Sequence, residues 1–166
     1  MSIKIRTAVI ADAKAISALI VPLVVKYIAP TWQPAVRSIL LDSMSEQKIE
    51  SYLSANYVYL VAVDPADVIV AVAGMRDYSH LYHLFVAERY QGQGLSRQLW
   101  QALQTVALHN GNQGRFTVNS ALHAEPVYLR FGFKRTEGVR NRDGMVDIPM
   151  LLELADTASQ LGSDQI

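Results

Sequence analysis

The 166 residues carry 15 Lys plus Arg against 15 Asp plus Glu, no cysteine, and 51% apolar side chains. That length fits one domain able to bury on the order of 70% of its unfolded surface. The missing cysteine excludes disulfides, thiolate metal sites and a cysteine nucleophile, and the even charge argues against the counterion-release binding of a dedicated nucleic-acid protein.

Ile3 to Val9 reads as a first strand and Ala11 to Val25 as an alanine-rich helix with Asp12 in its first turn, where a negative charge suits the dipole. Met1 to Arg6 hold no signal-peptide core. The apolar run Ile16 to Ile28 is expected to be too short to cross a bilayer, and it carries Pro22 and Lys26. A cytoplasmic location with no membrane partner is therefore the expectation. Pro30, Trp32 and Pro34 break the helix; a second is predicted near Ala35 to Met44, and Ser43 with Glu46 as a capping box starts a third, ending near Ala55. The period then changes. Val58 to Val63 and Val68 to Ala73 form a hairpin around Asp64-Pro65-Ala66-Asp67, and Leu81 to Val86 is a third strand.

Gln91-Gly92-Gln93-Gly94-Leu95-Ser96 links that strand to an amphipathic helix whose Leu95, Leu99, Leu103 and Val106 share a face and whose end is capped near Gly111. Strand, glycine turn and helix start leave unpaired N–H groups pointing one way with the positive end of the dipole behind them, an arrangement suited to phosphate or pyrophosphate. Arg115 to Val118 is a further strand, Glu125 to Phe131 a short helix with Pro126 in its first turn, and Phe133 to Val139 with Met145 to Leu154 a final strand pair around Asp143-Gly144. The result is one α+β domain over residues 1–155, a mixed sheet with flanking helices, followed by a polar tail, 156–166, expected to be disordered.

The loop lacks the third glycine and the acidic strand end of a dinucleotide fold, and no Gly-Lys-Ser/Thr follows as in a P-loop. Gln91-x-x-Gly94-x-Ser96 instead resembles the Gln/Arg-x-x-Gly-x-Gly/Ala pyrophosphate loop of the GNAT superfamily of acetyl-CoA-dependent N-acetyltransferases, departing only at Ser96. Arg89-x-x-Gly92-x-Gly94 also satisfies the pattern. The stripe beginning at Leu95 favours the Gln91 register, because it puts Ser96 in the first helical turn. Ala124-Glu125-Pro126-Val127-Tyr128-Leu129-Arg130-Phe131-Gly132-Phe133 resembles the second signature, Ala-x-x-x-Tyr-x-x-x-Gly-Phe. Leu84-Phe85-Val86, Ile5-Arg6 and Asp12-Ala13 extend the likeness over residues 3 to 154. Val118-Asn119-Ser120, Pro126-Val127-Tyr128 and Ile148-Pro149-Met150 resemble a generic bacterial subgroup that does not fix the substrate.

The resemblance implies a GNAT fold, with a mostly antiparallel sheet splayed at its middle strands, and transfer of an acetyl group from acetyl-CoA to a primary amine of a small molecule or peptide without an acyl-enzyme. It implies that main chain of Phe85 and Val86 bonds the pantetheine arm, that N–H groups of Gln91, Gly92, Gln93, Gly94, Leu95 and Ser96 hold the pyrophosphate with Arg97 adding charge, and that the Asn119 amide bonds the arm. Tyr128 matches the general acid. His80 occupies the position where some members place a base and others have none. Tyr27, Trp32 and Tyr82, with Arg76 or Tyr78, fall where the acceptor amine binds; Trp32 also reads as a plug between helices. Strict alternation puts 80, 82, 84 and 86 on one face of their strand and 81, 83 and 85 on the other, so His80-x-x-His83 is not expected to bind metal. Two rival readings stand beside the enzyme: a non-catalytic acyl-CoA-binding or sensing module, and a scaffold using Trp32 and the final hairpin as a homodimer surface.

Overall fold

In β2, Tyr57–Val63, Leu60 and Ala62 point to one side of the sheet and Tyr59, Val61 and Val63 to the other, all buried. The two-residue period of a strand requires this division. The computed structural model, which describes residues 2–155, shows what covers each side. On the first lies α4, Leu95–His109, through Leu95, Leu99, Trp100, Leu103 and Ala107. Trp100 and Ala107 join the predicted stripe, while Val106 is only partly covered. On the second lie α1, Ala13–Tyr27, and α3, Glu46–Leu53, contributing Ala13, Ile16, Ile20, Val24 and Ile49.

The other elements are β1 (Lys4–Thr7), α2 (Arg37–Asp42), β3 (Ile69–Arg76), β4 (His80–Val86), β5 (Arg115–Ser120), α5 (Glu125–Phe131), β6 (Lys134–Arg135), β7 (Arg140–Arg142) and β8 (Met145–Glu153). The sheet runs β1-β2-β3-β4-β5-β8-β6, with β7 paired to β8, and every pairing is antiparallel except β4 with β5. This is the expected α+β architecture. The parallel pair holds at only two positions, His80 with Thr117 and Leu81 with Val118. Beyond them the strands part, and the sheet is open along the rest of β4.

Four local expectations are corrected. The N-cap of α3 is Ser45, whose Oγ accepts from the Lys48 N–H at 3.2 Å; Ser43 instead closes α2, donating to the Leu40 carbonyl. The segment Phe133 to Val139 is not one strand. It pairs as β6 for two residues and stops opposite Pro149, which accepts from the Thr136 N–H but has no N–H to return; pairing resumes only at β7. The alternation of β4 breaks at Tyr82, where Gly74 opposes His83 but Met75 opposes Leu81. Leu81 therefore packs with Leu84 and Val86 beneath α4, while His83 and Phe85 lie on the other side among Tyr59, Tyr82 and Tyr52. The apolar stretch at α1 also runs further than expected, Ile10–Thr31, 22 residues containing an 18-residue window with a mean hydropathy of 1.5, long enough by length and composition to cross a membrane; Ile16, Ile20 and Val24 within it pack on the sheet. The polar tail, 156–166, lies outside the described residues.

Candidate functional site

Opening the sheet exposes main chain on β4. The Ala87 N–H bonds the Val70 carbonyl at 2.8 Å, which fixes the phase of the β3–β4 ladder. By the alternation of an antiparallel pair, Phe85 and His83 exchange their main-chain groups with β3, whereas Leu84 and Val86 turn theirs toward the gap. This corrects the expectation for Phe85: Leu84 and Val86 are the pair whose main chain faces the opening. The Val86 carbonyl takes one bond from Gln91 Nε2, at 3.0 Å, which ties the loop to the strand end.

The loop enters α4 through Gly92 and Gly94 at φ +77° and +78°, a conformation costly to a residue with a Cβ. Gly94 is the N-cap, and the first helical bond is the Gln98 N–H to its carbonyl. Ser96 is accordingly in the first turn, as the Gln91 register requires. The Gln91 N–H is not free, because it bonds the Glu88 carbonyl at 3.2 Å. The unpaired N–H groups instead run from Gly92 to Arg97, with no acceptor among the described residues, at the positive end of a 15-residue helix. A Cβ at Gly92 or Gly94 would meet no atom within 4 Å, so the space in front of the loop is open. Such a cradle fits a pyrophosphate. The Arg97 guanidinium donates to the Arg130 carbonyl at 3.3 Å and lies 5.3 Å from the Phe131 ring centre, and both arginines stand at the same wall.

Gap and cradle open into one cavity of about 870 Å³. Of the residues singled out in the sequence, it brings together Tyr27, Trp32, His80, Tyr82, Phe85, Val86, Gln91, Gly92, Gly94, Leu95, Ser96, Arg97, Asn119 and Tyr128. Gln93 does not line it; its side chain turns back to the Arg89 carbonyl at 3.4 Å. Arg76 and Tyr78 also lie off the wall.

Tyr128 is buried against Phe131 and Phe133, and burial, with no hydrogen bond from a described residue, raises its pKa above the ordinary phenol value. It is therefore protonated at neutral pH. His80 Nδ1 lies 2.7 Å from Thr117 Oγ1, at the first of the two positions where β4 and β5 are paired. Burial first, then the nearby Arg76 and Arg140, push its pKa down to about 4, so its ring is neutral across the physiological range. Asn119 is exposed at the far end of β5. Tyr27 stacks on His123 at 5.2 Å and donates to Glu88, bringing α1 against both edges of the opening.

Sequence reasoning missed several parts of this wall. His83 is the chief one. It is 3% exposed, its Nδ1 is 2.9 Å from the Tyr59 hydroxyl, its Nε2 is buried without a partner among the described residues, and burial pushes its pKa down to about 3. Gly74 makes the pairing possible, since a Cβ there would stand 2.3 Å from Tyr59 Cε1; the ring lies where a side chain would be. The bulge at Tyr82 invalidates the facing argument against a His80–His83 metal pair, but both Nδ1 atoms are engaged, and the described residues contain no group of three or more His, Asp or Glu able to hold a metal. Leu40, Met44 and Val146, also on the wall, carried no signal beyond being apolar near a break or turn.

A family model described as an acetyltransferase (GNAT) domain matches residues 29–154. Among solved structures, a GCN5-related N-acetyltransferase from Rhodopseudomonas palustris superposes with a TM-score of 0.77 at 20% identity, covering 93% of this chain and 97% of its own. The PaiA N-acetyltransferase of Thermoplasma acidophilum, in complex with coenzyme A, gives 0.75 at 16% identity over 93% of this chain and 100% of its own. A phosphinothricin acetyltransferase from Sinorhizobium meliloti, in complex with acetyl-CoA, gives 0.65 at 16% over 95% and 92%. At these identities the likeness is one of fold. No curated protein matches the chain.

Proposed function

The chain belongs to the GNAT acetyltransferase family, and from that premise we propose that it moves an acetyl group from acetyl-CoA to a primary amine of a small molecule or peptide by direct attack on the thioester. The observation that carries this reading is the convergence on one cavity of three things: the unpaired N–H groups of Gly92 to Arg97, the free main chain of Leu84 and Val86, and the side chains of His80 and Tyr128. The N–H cradle receives the pyrophosphate, with Arg97 and Arg130 beside it. Leu84 and Val86 pair with the amide-bearing arm as a missing strand would, with Asn119 on the opposite wall.

Bound in this way, the thioester carbonyl meets the N–H groups of the gap, which are already oriented toward the charge that develops on its oxygen. The amine nitrogen attacks the carbonyl carbon, the C–N bond forms, the C–S bond breaks, and the nitrogen sheds one proton. His80, neutral, accepts that proton; Tyr128, protonated, gives one to the departing sulfur. Deprotonating a lysine-like amine of pKa about 10.4 at pH 7 costs roughly 4.6 kcal/mol, so an acceptor for the proton matters most for alkyl amines.

Acetyl-CoA should raise the melting temperature of the full chain, and free thiol should appear when an acceptor amine is added. Tyr128→Phe should cut turnover by about 100-fold with coenzyme affinity nearly unchanged. Stabilisation with no thiol release on any amine would turn the assignment to the coenzyme-sensing module; absence of stabilisation would remove both.

A further inference from the structure

The two ends of the cavity differ in charge: one carries cations, the other a carboxylate that is already paired. Its cations among the described residues, Arg97 and Arg130, both stand at the wall formed by the glycine loop and α5. Its one carboxylate, Asp147, is held by Arg140 at 2.5 Å and by Arg142 at 3.2 Å. The wall made by the α1–α2 connection, α2 and the start of β8 presents Ile28, Trp32, Leu40, Met44 and Val146, with Ser43, whose hydroxyl donates to the Leu40 carbonyl, and the paired Asp147 as its polar members. Trp32 shows only its ring to a ligand, because its indole N–H is spent on the Val146 carbonyl at 3.0 Å.

Besides the buried Nε2 of His83, which has no partner among the described residues, the Tyr82 hydroxyl is left with a defined role at this end. The Tyr52 hydroxyl has a single proton and gives it to the Ser43 carbonyl at 2.8 Å. In the 3.2 Å contact between Tyr52 and Tyr82, the proton therefore comes from Tyr82. That leaves the Tyr82 oxygen with lone pairs and no proton to offer, so it accepts from a ligand and cannot donate.

Resting on the acetyl-transfer reading above, we infer that the acceptor is a monoamine with an apolar alkyl or aryl body, its nitrogen donating to the Tyr82 oxygen and its body lying against Trp32, Leu40, Met44 and Val146. A second ammonium on the same molecule would meet apolar side chains or a carboxylate already neutralised by two guanidinium groups. A peptide would bury amide groups on a wall with almost nothing to bond them. A ring or alkyl chain meets neither penalty.

The test uses the full chain with acetyl-CoA and a matched pair, hexylamine and 1,6-diaminohexane, which differ by one cation, together with 2-phenylethylamine and an unblocked hexapeptide. Thiol release should give hexylamine and 2-phenylethylamine at least about a tenfold advantage in kcat/KM over the diamine and the peptide. Trp32→Ala should raise KM for 2-phenylethylamine more than it lowers kcat. Ile39→Asp, which adds a carboxylate at an exposed position on the same wall, should narrow the gap between hexylamine and the diamine. A diamine or peptide used as well as the monoamines would overturn the inference. If no amine releases thiol, the transfer reading fails separately, and the amine class is read from binding: quenching of the fluorescence lost in Trp32→Ala should be stronger with 2-phenylethylamine than with the diamine, and the reverse order would overturn it.

Discussion

The glycine-loop end of the cavity is built from main chain, with free N–H groups from Gly92 to Arg97 and the turned-out groups of Leu84 and Val86, whereas the opposite end is built from side chains, Trp32, Tyr82, Leu40, Met44 and the buried His83. Main-chain recognition depends on conformation: the loop works if Gly92 and Gly94 hold positive φ, whatever stands around them. Side-chain recognition depends on packing, since each group is placed by its neighbours, as Tyr59 places His83. The two ends should therefore fail in different ways. A change at the loop should weaken the coenzyme and spare the fold; a change beneath the aromatic cluster should cost stability and spare the coenzyme.

Gly94→Val is expected to have the largest effect. No atom lies within 4 Å of a Cβ at this position, so nothing clashes, but φ is +78° and a β-branched residue resists that region. Relieving the strain re-aims the N–H groups at the start of α4. Loss of one charge-assisted hydrogen bond, about 1.5–3 kcal/mol, should raise the coenzyme dissociation constant by roughly 10- to 100-fold in a calorimetric titration. Unfolding in place of weakened binding would break the contrast between the two ends.

Gly74→Ala tests the other end. Its Cβ would collide with the Tyr59 ring, which is 1% exposed and has no room to retreat. Displacing it breaks the bond to His83 and overpacks the core, for about 2–3 kcal/mol of lost stability by urea unfolding. Coenzyme affinity should move far less than in Gly94→Val, while KM for the amine should rise. A stable variant with unaltered amine kinetics would show that Tyr59 and His83 do not set this end.

His80 stands between the two ends, on the short paired stretch just before the strands part. Its pKa, pushed down to about 4 from an ordinary value near 6.5, means that the ring loses its proton well below neutrality. The wild-type pH–rate profile should then show no inflection from His80 near 6.5; once the ionisation of the amine itself is allowed for, a further loss from charging of the ring should appear only as the pH approaches 4. His80→Ala should lower kcat about tenfold at pH 7, and the deficit should shrink toward the pKa of the amine, where free amine no longer needs help. A deficit of constant size from pH 7 to 10 would assign His80 to structure.

The contrast also explains what was legible in the sequence. The loop could be read because Gly92 and Gly94 stand where only glycine is at ease, and α4 because Leu95, Leu99 and Leu103 repeat at helical spacing. Tyr128 came with its signature and lies on the cavity. The bulge at Tyr82 left no mark, since inserting one residue in a strand changes neither composition nor length by enough to see, yet it put Leu81 on the opposite side of the sheet from His83 and Phe85. The exchange of Phe85 for Leu84 at the gap has a similar cause: which main-chain groups face outward depends on the partner strand, and the sequence of β4 alone does not contain β3. Gly74, unremarkable as one glycine in Ile69–Arg76, becomes necessary only when Tyr59 is laid over it.

The smallest expected effect, at Arg97, separates main chain from side chain within the loop itself. The Arg97 N–H belongs to the unpaired set, and its guanidinium reaches the Arg130 carbonyl and the Phe131 ring at the same wall. Arg97→Gln keeps the N–H and removes the charge. Since the guanidinium is exposed, water and salt screen it, and its contribution to an anionic ligand should be modest: about a threefold rise in the coenzyme dissociation constant at low ionic strength, fading as salt is raised to about 0.5 M. Gly94→Val should show no such salt dependence, because misdirected N–H groups are not restored by screening. Titrations of both variants at two salt concentrations therefore divide the loop's affinity into a geometric part and a charged part, and a large, salt-independent loss in Arg97→Gln would mean that the cradle is held by its side chains after all.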